Sequence, residues 1–376
     1  MNEPNRILTR ADIASMNDDI LSRFLASPPT EARAHGVRVT SGTSGSGPIV
    51  AVREHGPSSR VRFSGLNRLL LFHGAYNRKL AEVLHVRNQV EEGPKRALLI
   101  CTEDLSPELA ALVEDFVPDT VTGITSLVAR LSHYVGRAGS GVRVLILAGE
   151  RVTSQSEDLL RSSFPHAKIR MRYSSVELGE IGYQCTYLSP NQYHPSSGVT
   201  IEVVDTDESG SNILVSKRMR VGSVFEVFEH YDIGDVARLQ SDTCPCGEAV
   251  TFEHLGRKGH DYFTLAGAIL RREEFDRVAA FFKEYIDDYR AEASEILENG
   301  ELKGKIVLHV FAGSPIPTPA LAEEITRDFS ASVFLTPTRT LADLVAAGVF
   351  VPLEVEFSKT PFPQKHKDIK LVRLDG

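Results

Sequence analysis

The sequence predicts an α/β fold with a large N-terminal domain, in which mostly parallel sheets are joined to a β-rich region, and a small mobile α+β C-terminal domain. Strand-like and helix-like segments alternate between residues 97 and 175, and this alternation is typical of a parallel sheet. From residue 199 the pattern changes to short β-like runs separated by Asp, Ser and Gly, which favours antiparallel strands. At roughly 150 residues per domain, the 376 residues fit two to three domains.

Two helices and a pair of strands are predicted in the first quarter of the chain. Residues 10–25 form an amphipathic pattern that begins after Thr9, a suitable N-cap with Asp12 three residues later, and that ends before a pair of prolines. Leu, Phe and Val recur at helical spacing over about 65–86, which predicts a second long helix. Between these helices, the β-like segments VRV and IVAV enclose a loop rich in glycine.

Apolar strands and amphipathic helices then alternate. Strands are predicted at 97–102, 142–149 and 169–175, and helices at 106–116, 123–135 and 154–164. Because the strands are continuous apolar runs, we expect the sheet to be buried on both faces. Ligands of such sheets lie beyond the carboxyl ends of the strands, so the loops that start at Gly149 and Ser174 are candidate binding loops.

The C-terminal part combines two helices with two strands after a connector. Residues 244–267 are rich in Cys, Pro, Gly and charge, and we expect them to link two domains. With a hinge near 257–261, the predicted domains are residues 1–257 and 258–376. The later elements are helices at 273–289 and 320–330 and strands at 304–313 and 353–358.

Composition and charge exclude several classes of function. The chain has 42 Lys and Arg against 50 Asp and Glu, a net charge of -8, whereas a nucleic-acid binder needs clustered positive charge. No apolar run approaches the ~18 residues of a membrane span, and the N-terminal residues lack the apolar segment of a secretory signal. Four cysteines do not make a disulfide framework at this length. We therefore expect a cytoplasmic protein that binds neither nucleic acid nor membrane.

The first candidate site is the loop of small residues between the two N-terminal strands. Glycine permits close backbone approach, and hydroxyl and amide donors without bulky side chains can wrap phosphate oxygens. No Gly-Lys-Ser/Thr follows at the spacing of a Walker loop, and a flexible surface linker would have the same composition. The loop consists of Thr40, Ser41, Gly42, Thr43, Ser44, Gly45, Ser46, Gly47 and Pro48.

The second candidate site follows the strand at 169–175. A carboxylate at this position, that of Glu177, can bind Mg²⁺, which prefers hard oxygen ligands and phosphate partners. Tyr173 offers a ring that could stack on a base. An exposed turn that starts a helix with Glu would have the same residues.

The third candidate site is the segment YDIGD, residues 231–235. An acidic side chain after a tight turn, here Asp235, is suited to accept two hydrogen bonds from ribose hydroxyls. Asp and Gly favour β-turns in any protein, so the segment taken alone is more typical of an ordinary turn.

In this order, the three motifs resemble those of the acyl-adenylate-forming superfamily, which includes acyl-CoA synthetases, peptide-synthetase adenylation domains and luciferases. TSGTSGSGP resembles the phosphate loop of its phenylacetate-CoA ligase branch, and the stretch from GERV to GYQC resembles the segment that ends in the adenine- and magnesium-binding signature. EHYDIGDVARL resembles the ribose-binding segment, and CPCGEAVTFEHLGRKGHD resembles the approach to the hinge. The resemblance extends from about residue 38 to the end of the chain.

The resemblance implies an ATP site built from the three motifs. The first motif would hold the phosphates, the second would line the adenine pocket and bind Mg²⁺, and the third would hold the ribose. Arg257 would contact the ribose or a phosphate, and the hinge would follow at His260 or Asp261. The implied nucleotide-binding residues are Thr40, Ser41, Gly42, Thr43, Ser44, Gly45, Tyr173, Ser174, Asp235 and Arg257, with Glu177 as the catalytic magnesium ligand.

The resemblance also implies a catalytic lysine near the C-terminus. The family has this lysine in a Pro–small–Gly–Lys context, and the corresponding segment here is KTPFPQKHK. Lys365 is the implied catalytic residue, Lys367 takes the role if the alignment shifts by a small gap, and Lys370 stays open. The phosphate loop itself lacks the family's usual lysine, and the chain before the loop is short.

A fourth set of residues has the donor atoms of a tetrahedral zinc site: Cys185, His194, Cys244 and Cys246. A zinc ion here would tie the segment after the magnesium-binding motif to the segment before the hinge, in a purely structural role. Cys-x-Cys is tighter than the common Cys-x2-Cys, buried free thiols are the alternative, and His254 is a reserve ligand.

From the resemblance we expect an AMP-forming acid-thiol ligase. It would activate a small carboxylic acid, such as an aromatic one, with ATP and Mg²⁺, release pyrophosphate and pass the acyl group to CoA. The walls of the acid pocket would come from Gly149-Glu150, from residues 173–183 and from the helix after the phosphate loop, which carries Phe72, His73 and Tyr76. The resemblance also admits a homodimer.

Three alternatives stay open at this point. The enzyme could pass the acyl group to an amine or to a carrier-protein thiol instead of CoA. A degenerate member would bind nucleotide without turnover, which the missing loop lysine and the short N-terminal part would explain. An unrelated α/β protein would bind no nucleotide at all.

Overall fold

The computed structural model places the chain around two hydrophobic cores. The predictions for the phosphate loop, for His260 and Asp261 and for the C-terminal lysines lie outside the described residues. The structure describes residues 7–16, 19, 22, 35–39, 50–54, 68–73, 96–101, 107–206, 210–221, 224–240, 242–257, 262–312, 318–336, 338–358, 362 and 371–374.

Helix α1 (Arg10–Ser15) begins as the sequence predicts. The Thr9 side chain accepts a hydrogen bond from the Asp12 backbone amide, and the Asp12 carboxylate accepts one from the Thr9 amide at 2.8 Å. This capping box satisfies amides that the first turn would otherwise leave unpaired. Strands β1 (His35–Val39) and β2 (Val50–Glu54) form a separate antiparallel hairpin, with the predicted phosphate loop between them.

One large sheet runs through the part of the chain before residue 258. Its eleven described strands are β3 (Arg68–His73), β4 (Arg96–Cys101), β5 (Thr120–Ile124), β6 (Val144–Ala148), β7 (Lys168–Ser175), β8 (Gly179–Tyr183), β9 (Gln192–Pro195), β10 (Val199–Thr206), β11 (Gly210–Val221), β12 (Val224–Gln240) and β13 (Thr251–Arg257). Their order across the sheet is β10-β11-β12-β13-β9-β8-β7-β6-β5-β3-β4.

The sheet changes from parallel to antiparallel at β7. Strands β4, β3, β5, β6 and β7 pair in parallel, and α2 (Pro107–Phe116), α3 (Thr125–Ser132) and α4 (Ser154–Ser163) connect them. Leu145 and Leu147 of β6 are fully buried, as expected where crossover helices cover the sheet. All pairs from β7 to β10 are antiparallel. The predicted parallel sheet and β-rich region are therefore two halves of one sheet.

Several of the predicted helices differ from the structure. The helix predicted at 65–86 is wrong at 68–73, which form β3 between β4 and β5. A short apolar run such as LLLF fits a buried strand as well as a helix, so periodicity alone does not decide. The helix predicted at 123–135 begins only at Thr125, because Thr120–Ile124 is β5.

The C-terminal part has its own four-stranded sheet and its own core. The sheet order is β18-β17-β16-β19, in which β16 and β17 pair antiparallel and the outer strands pair parallel to them. The predicted helix at 273–289 ends at Ala279, because Asp288 already begins β16. The elements are β14 (Tyr262–Leu265), β15 (Ala268–Arg271), α5 (Arg272–Ala279), a 3-10 turn (Ala280–Phe282), β16 (Asp288–Glu298), β17 (Glu301–Phe311), α6 (Pro319–Ser332), α7 (Leu341–Ala346), β18 (Glu354–Ser358) and β19 (Leu371–Arg373).

The two parts meet across a polar contact that we call the polar seam, formed by Glu150, Ser126, Gly267, Thr153 and Glu295. The Glu150 carboxylate accepts hydrogen bonds from the backbone amides of Ser126 at 3.0 Å and Gly267 at 3.2 Å. The buried Glu295 accepts one from the Thr153 hydroxyl at 2.9 Å. None of the described helices is long and apolar enough to cross a membrane.

Candidate functional site

The carboxylate of Asp235, on β12, is buried in the large sheet beside an arginine and a tyrosine. Asp235 is only 4% exposed, and Arg257 lies directly opposite it in the register of β12 and β13. The Arg257 Nε is 2.9 Å from Asp235 Oδ1, and the Tyr173 hydroxyl donates to Oδ2 at 2.5 Å. Gly234 precedes Asp235 with φ +78, a conformation that favours glycine and that turns the backbone toward Arg257.

Electrostatics keeps this carboxylate ionised. Burial alone would raise the pKa of Asp235, but Arg257, with His254 and Tyr173 beside the carboxylate, outweighs burial and lowers the pKa below its ordinary value. Burial and the Asp235 charge raise the pKa of Tyr173 well above its usual range. Tyr173 is therefore a neutral donor, and Asp235 is a fixed negative charge that has lone pairs available for a hydroxyl ligand.

The second carboxylate of the site belongs to Glu177, in the turn between β7 and β8. Its side chain is 6% exposed, and the Tyr231 hydroxyl donates to its Oε1 at 2.7 Å. Lys217 on β11 holds the turn in place by donating to the backbone carbonyls of Leu178 at 2.7 Å and Glu180 at 2.5 Å. The carboxylate is thus presented by a fixed turn at the end of β7.

The two carboxylates belong to one electrostatic group. Tyr231 and Asp235 are both buried residues of β12. The charge of Glu177 acts on Arg257, and the charges of Glu177 and Arg257 both act on Tyr231. Carboxylates so arranged can hold a cation at one position and a pair of hydroxyls at the other.

Several predicted residues are placed less centrally or lie outside the described residues. Ser174 is on β7 but is exposed, paired in register with Glu180. Residues 40–47 lie outside the description, as do the three lysines at 365, 367 and 370, which fall between the ends of β18 and β19. Of the predicted nucleotide-binding residues, Tyr173, Asp235 and Arg257 are brought into direct contact.

Three residues at the site were not assigned a role from the sequence. Tyr231 could have been found, because it alternates with Ile233 and Asp235 along one strand. His254 was named only as a reserve zinc ligand, but its Nε2 is 3.6 Å from Asp235 Oδ2 and its ring lies against Tyr173. Arg10, beside Glu177, gave no signal in the sequence.

The four predicted zinc ligands form a separate cluster at the antiparallel side of the sheet. Cys185 follows β8, His194 is on β9, and Cys244 and Cys246 lie in the turn between β12 and β13. The Cys185 and Cys244 sulfurs are 3.6 Å apart, and His194 Nε2 is 3.4 Å from Cys185 Sγ and 3.2 Å from Cys246 Sγ. All four ligand atoms lie within 4.8 Å of one another.

This donor set fits a tetrahedral metal ion. Ligands at the zinc–sulfur distance of about 2.3 Å stand roughly 3.7 Å apart along the edges of a tetrahedron, close to the distances observed. His194 Nδ1 is 2.7 Å from the Val250 carbonyl, so Nδ1 carries the proton and Nε2 presents its lone pair to the sulfurs. His254 is not part of this cluster.

Comparison of the sequence with family models and with curated proteins gives no match. Among solved structures, the chain is similar to 2-hydroxyisobutyryl-CoA ligase in complex with 2-HIB-AMP and CoA in the thioesterification state, with a TM-score of 0.62 and 15% identity over 98% of this chain and 80% of that one. The chain shares the fold of this acyl-CoA ligase. This confirms the fold that the motifs predict, while membership of the acyl-adenylate-forming superfamily and of its phenylacetate-CoA ligase branch stays a prediction.

A second solved structure with this fold is an NRPS protein containing adenylation and PCP domains, bound to a vinylsulfonamide inhibitor. Its TM-score is 0.51, with 15% identity over 88% of this chain and 58% of that one. The predicted fold class is confirmed by both structures.

Proposed function

We propose that the protein activates a carboxylic acid with ATP as an acyl-adenylate, releases pyrophosphate and transfers the acyl group to the thiol of CoA. The observation that carries this proposal is the buried, ionised Asp235, held between Arg257 and Tyr173, the latter on β7, where the sheet changes from parallel to antiparallel. The fold of acyl-adenylate-forming enzymes supports the same conclusion.

Each charged group of the site has a task in this reaction. Asp235 accepts hydrogen bonds from the ribose hydroxyls, and Tyr173 lines the adenine pocket. Glu177, with two oxygens on a fixed turn, holds Mg²⁺, which supplies positive charge to the phosphate oxygens. The acid oxygen attacks the α-phosphorus of ATP, and pyrophosphate leaves as negative charge builds on the α-phosphoryl oxygens. Lys365 stabilises that charge.

CoA is the proposed acceptor of the acyl group, ahead of a carrier-protein thiol and an amine. The 2-hydroxyisobutyryl-CoA ligase of similar fold is described as a complex with CoA in the thioesterification state. Its alignment extends over 98% of this chain and so includes both parts of it. The domains 1–257 and 258–376 would rotate at His260 or Asp261, which separates the two half-reactions and keeps water from the mixed anhydride. Transfer to a carrier-protein thiol is the second candidate, supported by the structure that combines adenylation and PCP domains.

Pyrophosphate exchange tests the first half-reaction. The purified protein is screened against a library of carboxylic acids, including aromatic ones, with Asp235→Ala as the inactive control. We expect acid-dependent exchange by the wild type and none by the variant. If none of the acids in the library supports exchange, the proposal is contradicted. Nucleotide binding without exchange would indicate a degenerate member. Thioester formation with CoA, compared with a panel of carrier proteins and amines, then identifies the acceptor.

The lysine assignment is tested separately. Lys365→Ala should lose adenylation yet still convert pre-formed acyl-adenylate to thioester, because the lysine acts only on the α-phosphate. Lys367→Ala is the matched control and should keep both half-reactions. Full adenylation by Lys365→Ala, with loss in Lys367→Ala or Lys370→Ala, would move the role to that residue.

We further propose that Cys185, His194, Cys244 and Cys246 hold one structural zinc ion. The tautomer of His194 and the tetrahedral spacing of the sulfurs support this proposal. Metal analysis of protein purified without chelator should find about one zinc per chain, and Cys244→Ser should lose it and unfold at lower temperature. Protein that is equally stable with and without chelator, and that carries no zinc, would show that these are free thiols.

A further inference from the structure

The N-terminal segment is joined to the candidate site on both sides of Tyr231. The Leu8 amide donates to the His230 carbonyl at 3.1 Å, and the Asp232 amide donates to the Leu8 carbonyl at 2.9 Å, so Leu8 pairs with β12 like a short added strand. Helix α1 follows, and its Ile13 is 2% exposed within the larger core. These contacts fix the position of Arg10 next to the strand that carries Tyr231.

Arg10 is thereby held beside the second carboxylate. Its Nη1 is 3.8 Å from Glu177 Oε1, the same oxygen that accepts from Tyr231, and the side chains of Arg10 and Glu177 are 16% and 6% exposed. The separation is too long for a hydrogen bond. The Arg10 Nε is buried and has no hydrogen-bond partner among the described residues. A guanidinium with unused donors thus faces a carboxylate that it does not fully engage.

A divalent cation on Glu177 changes this balance. In a site of low polarity, two positive groups sharing one carboxylate oxygen repel each other strongly. An anion that lies between them removes the repulsion and accepts the unused donors of the guanidinium, and arginine is well suited to phosphate oxygens. The predicted phosphate loop from Thr40 to Pro48 contains no cationic side chain that could do this instead.

We infer that Arg10 binds a phosphate of the nucleotide and that its contact with Glu177 couples metal binding to nucleotide binding. The inference rests on the proposed function, since it adds a residue to the proposed ATP site. Without nucleotide, Arg10 neutralises Glu177 and opposes a metal ion there. With nucleotide, Arg10 turns to the phosphate and leaves Glu177 to the metal ion.

Calorimetric titrations with ATP plus Mg²⁺, with adenosine, and with Mn²⁺ alone test the inference on the full chain. We expect Arg10→Gln to weaken ATP binding about tenfold or more, as loss of a charge-assisted hydrogen bond does, and to leave adenosine binding unchanged. Arg10→Lys should recover part of the ATP affinity. Mn²⁺ alone should bind more tightly to Arg10→Gln than to the wild type, because the opposing charge is gone.

Asp12→Ala is the matched control, because it removes the cap of α1 and keeps the guanidinium. It should lower the unfolding temperature and leave both the ATP and the Mn²⁺ titrations unchanged. Equal ATP affinity of wild type and Arg10→Gln would overturn the inference, as would a parallel loss of ATP and adenosine binding, which indicates a structural role only. Failure of the wild type to bind ATP would overturn the proposed function, whatever the variants do.

Discussion

Asp235 and Glu177 are two buried carboxylates in one site, and the cations around them are arranged differently. Asp235 has a guanidinium at 2.9 Å and a tyrosine hydroxyl on its other oxygen. Glu177 also has a tyrosine hydroxyl, but its nearest guanidinium is 3.8 Å away. The first charge has a close ion-pair partner, and the second has only a distant one.

This difference suits the two tasks proposed for them. A carboxylate whose charge is already balanced binds a neutral partner such as a ribose diol through its remaining lone pairs. A carboxylate with a loosely held counter-charge keeps room for a metal ion. The loss of each carboxylate should also cost a different amount of stability. Breaking the close ion pair at Asp235 leaves an uncompensated buried charge, which is expensive.

The largest effect is expected from Asp235→Asn, which removes the charge and nearly keeps the shape. Arg257 would then lie beside a neutral amide, and we expect a loss of about 2–3 kcal/mol in the free energy of unfolding, below that of a fully buried pair because Arg257 is partly exposed. Nucleotide binding should be lost as well. Urea denaturation and ATP titration measure the two effects. Tyr173→Phe is the control, since it keeps the ion pair, and it should cost about 1 kcal/mol.

Glu177→Gln should show the opposite pattern, a small effect on stability and a large one on activity. Because only a hydroxyl contact and a long ion pair are changed, we expect a loss of about 1 kcal/mol or less in unfolding free energy. Magnesium-dependent pyrophosphate exchange should fall about 100-fold or more, a typical cost of losing a charged group that acts on the transition state. A variant as unstable as Asp235→Asn would show that Glu177 is a structural ion-pair residue.

The sequence predicted the elements that a local pattern specifies. The strands at 97–102, 142–149 and 169–175 are continuous apolar runs between turn residues, and the structure has strands β4, β6 and β7 there. The cap at Thr9 was readable because a capping box lies within four residues. The Glu177 motif was readable because it follows the end of β7, and ligands of parallel sheets lie beyond the carboxyl ends of the strands.

What the sequence could not supply is contact between segments far apart in the chain. Residues 68–73 become a strand only because β4 and β5 lie on either side of them, and propensity does not contain that information. Arg10 reaches Glu177 because Leu8 pairs with β12, and no local pattern records this pairing. The same is true of Glu150, predicted as a wall of the acid pocket, whose carboxylate accepts a hydrogen bond from the Gly267 amide across the polar seam.

The contributions of Asp235 and Glu150 to stability should change with pH in opposite directions. The folded-state pKa of Asp235 lies below its ordinary value of 3.8, so its contribution to stability is present above that pH and is lost as the pH falls further. Burial raises the pKa of Glu150 above 4.5, since its hydrogen bonds from Ser126 and Gly267 do not offset the loss of solvent. Its contribution is therefore greatest below pH 4.5 and is lost as the pH rises through the raised pKa.

Unfolding free energies at several pH values, measured for wild type, Asp235→Asn and Glu150→Gln, separate the two groups. The difference between wild type and Asp235→Asn should shrink below about pH 4. The unfolding free energy of the wild type relative to that of Glu150→Gln should instead fall as the pH rises from acid to neutral. If both differences change in the same direction, the buried charge of Glu150 is compensated in a way that its two amide donors do not explain.

The smallest effect is expected at Lys217, which bonds the backbone around Glu177 rather than its carboxylate. Lys217→Met keeps the length and apolar stem of the side chain but removes its donation to the Leu178 and Glu180 carbonyls. The turn would then hold Glu177 less firmly, and we expect the Mg²⁺ concentration for half-maximal pyrophosphate exchange to rise about threefold, or about 0.65 kcal/mol, with the maximal rate unchanged. Lys303→Met, at the ion pair with Glu298 in the C-terminal part of the chain, should leave this concentration unaltered. A fall in the maximal rate of Lys217→Met would mean that the lysine acts on the reacting groups themselves. The charge of Lys217 would then have to be counted with those of Asp235 and Glu177 as part of the site.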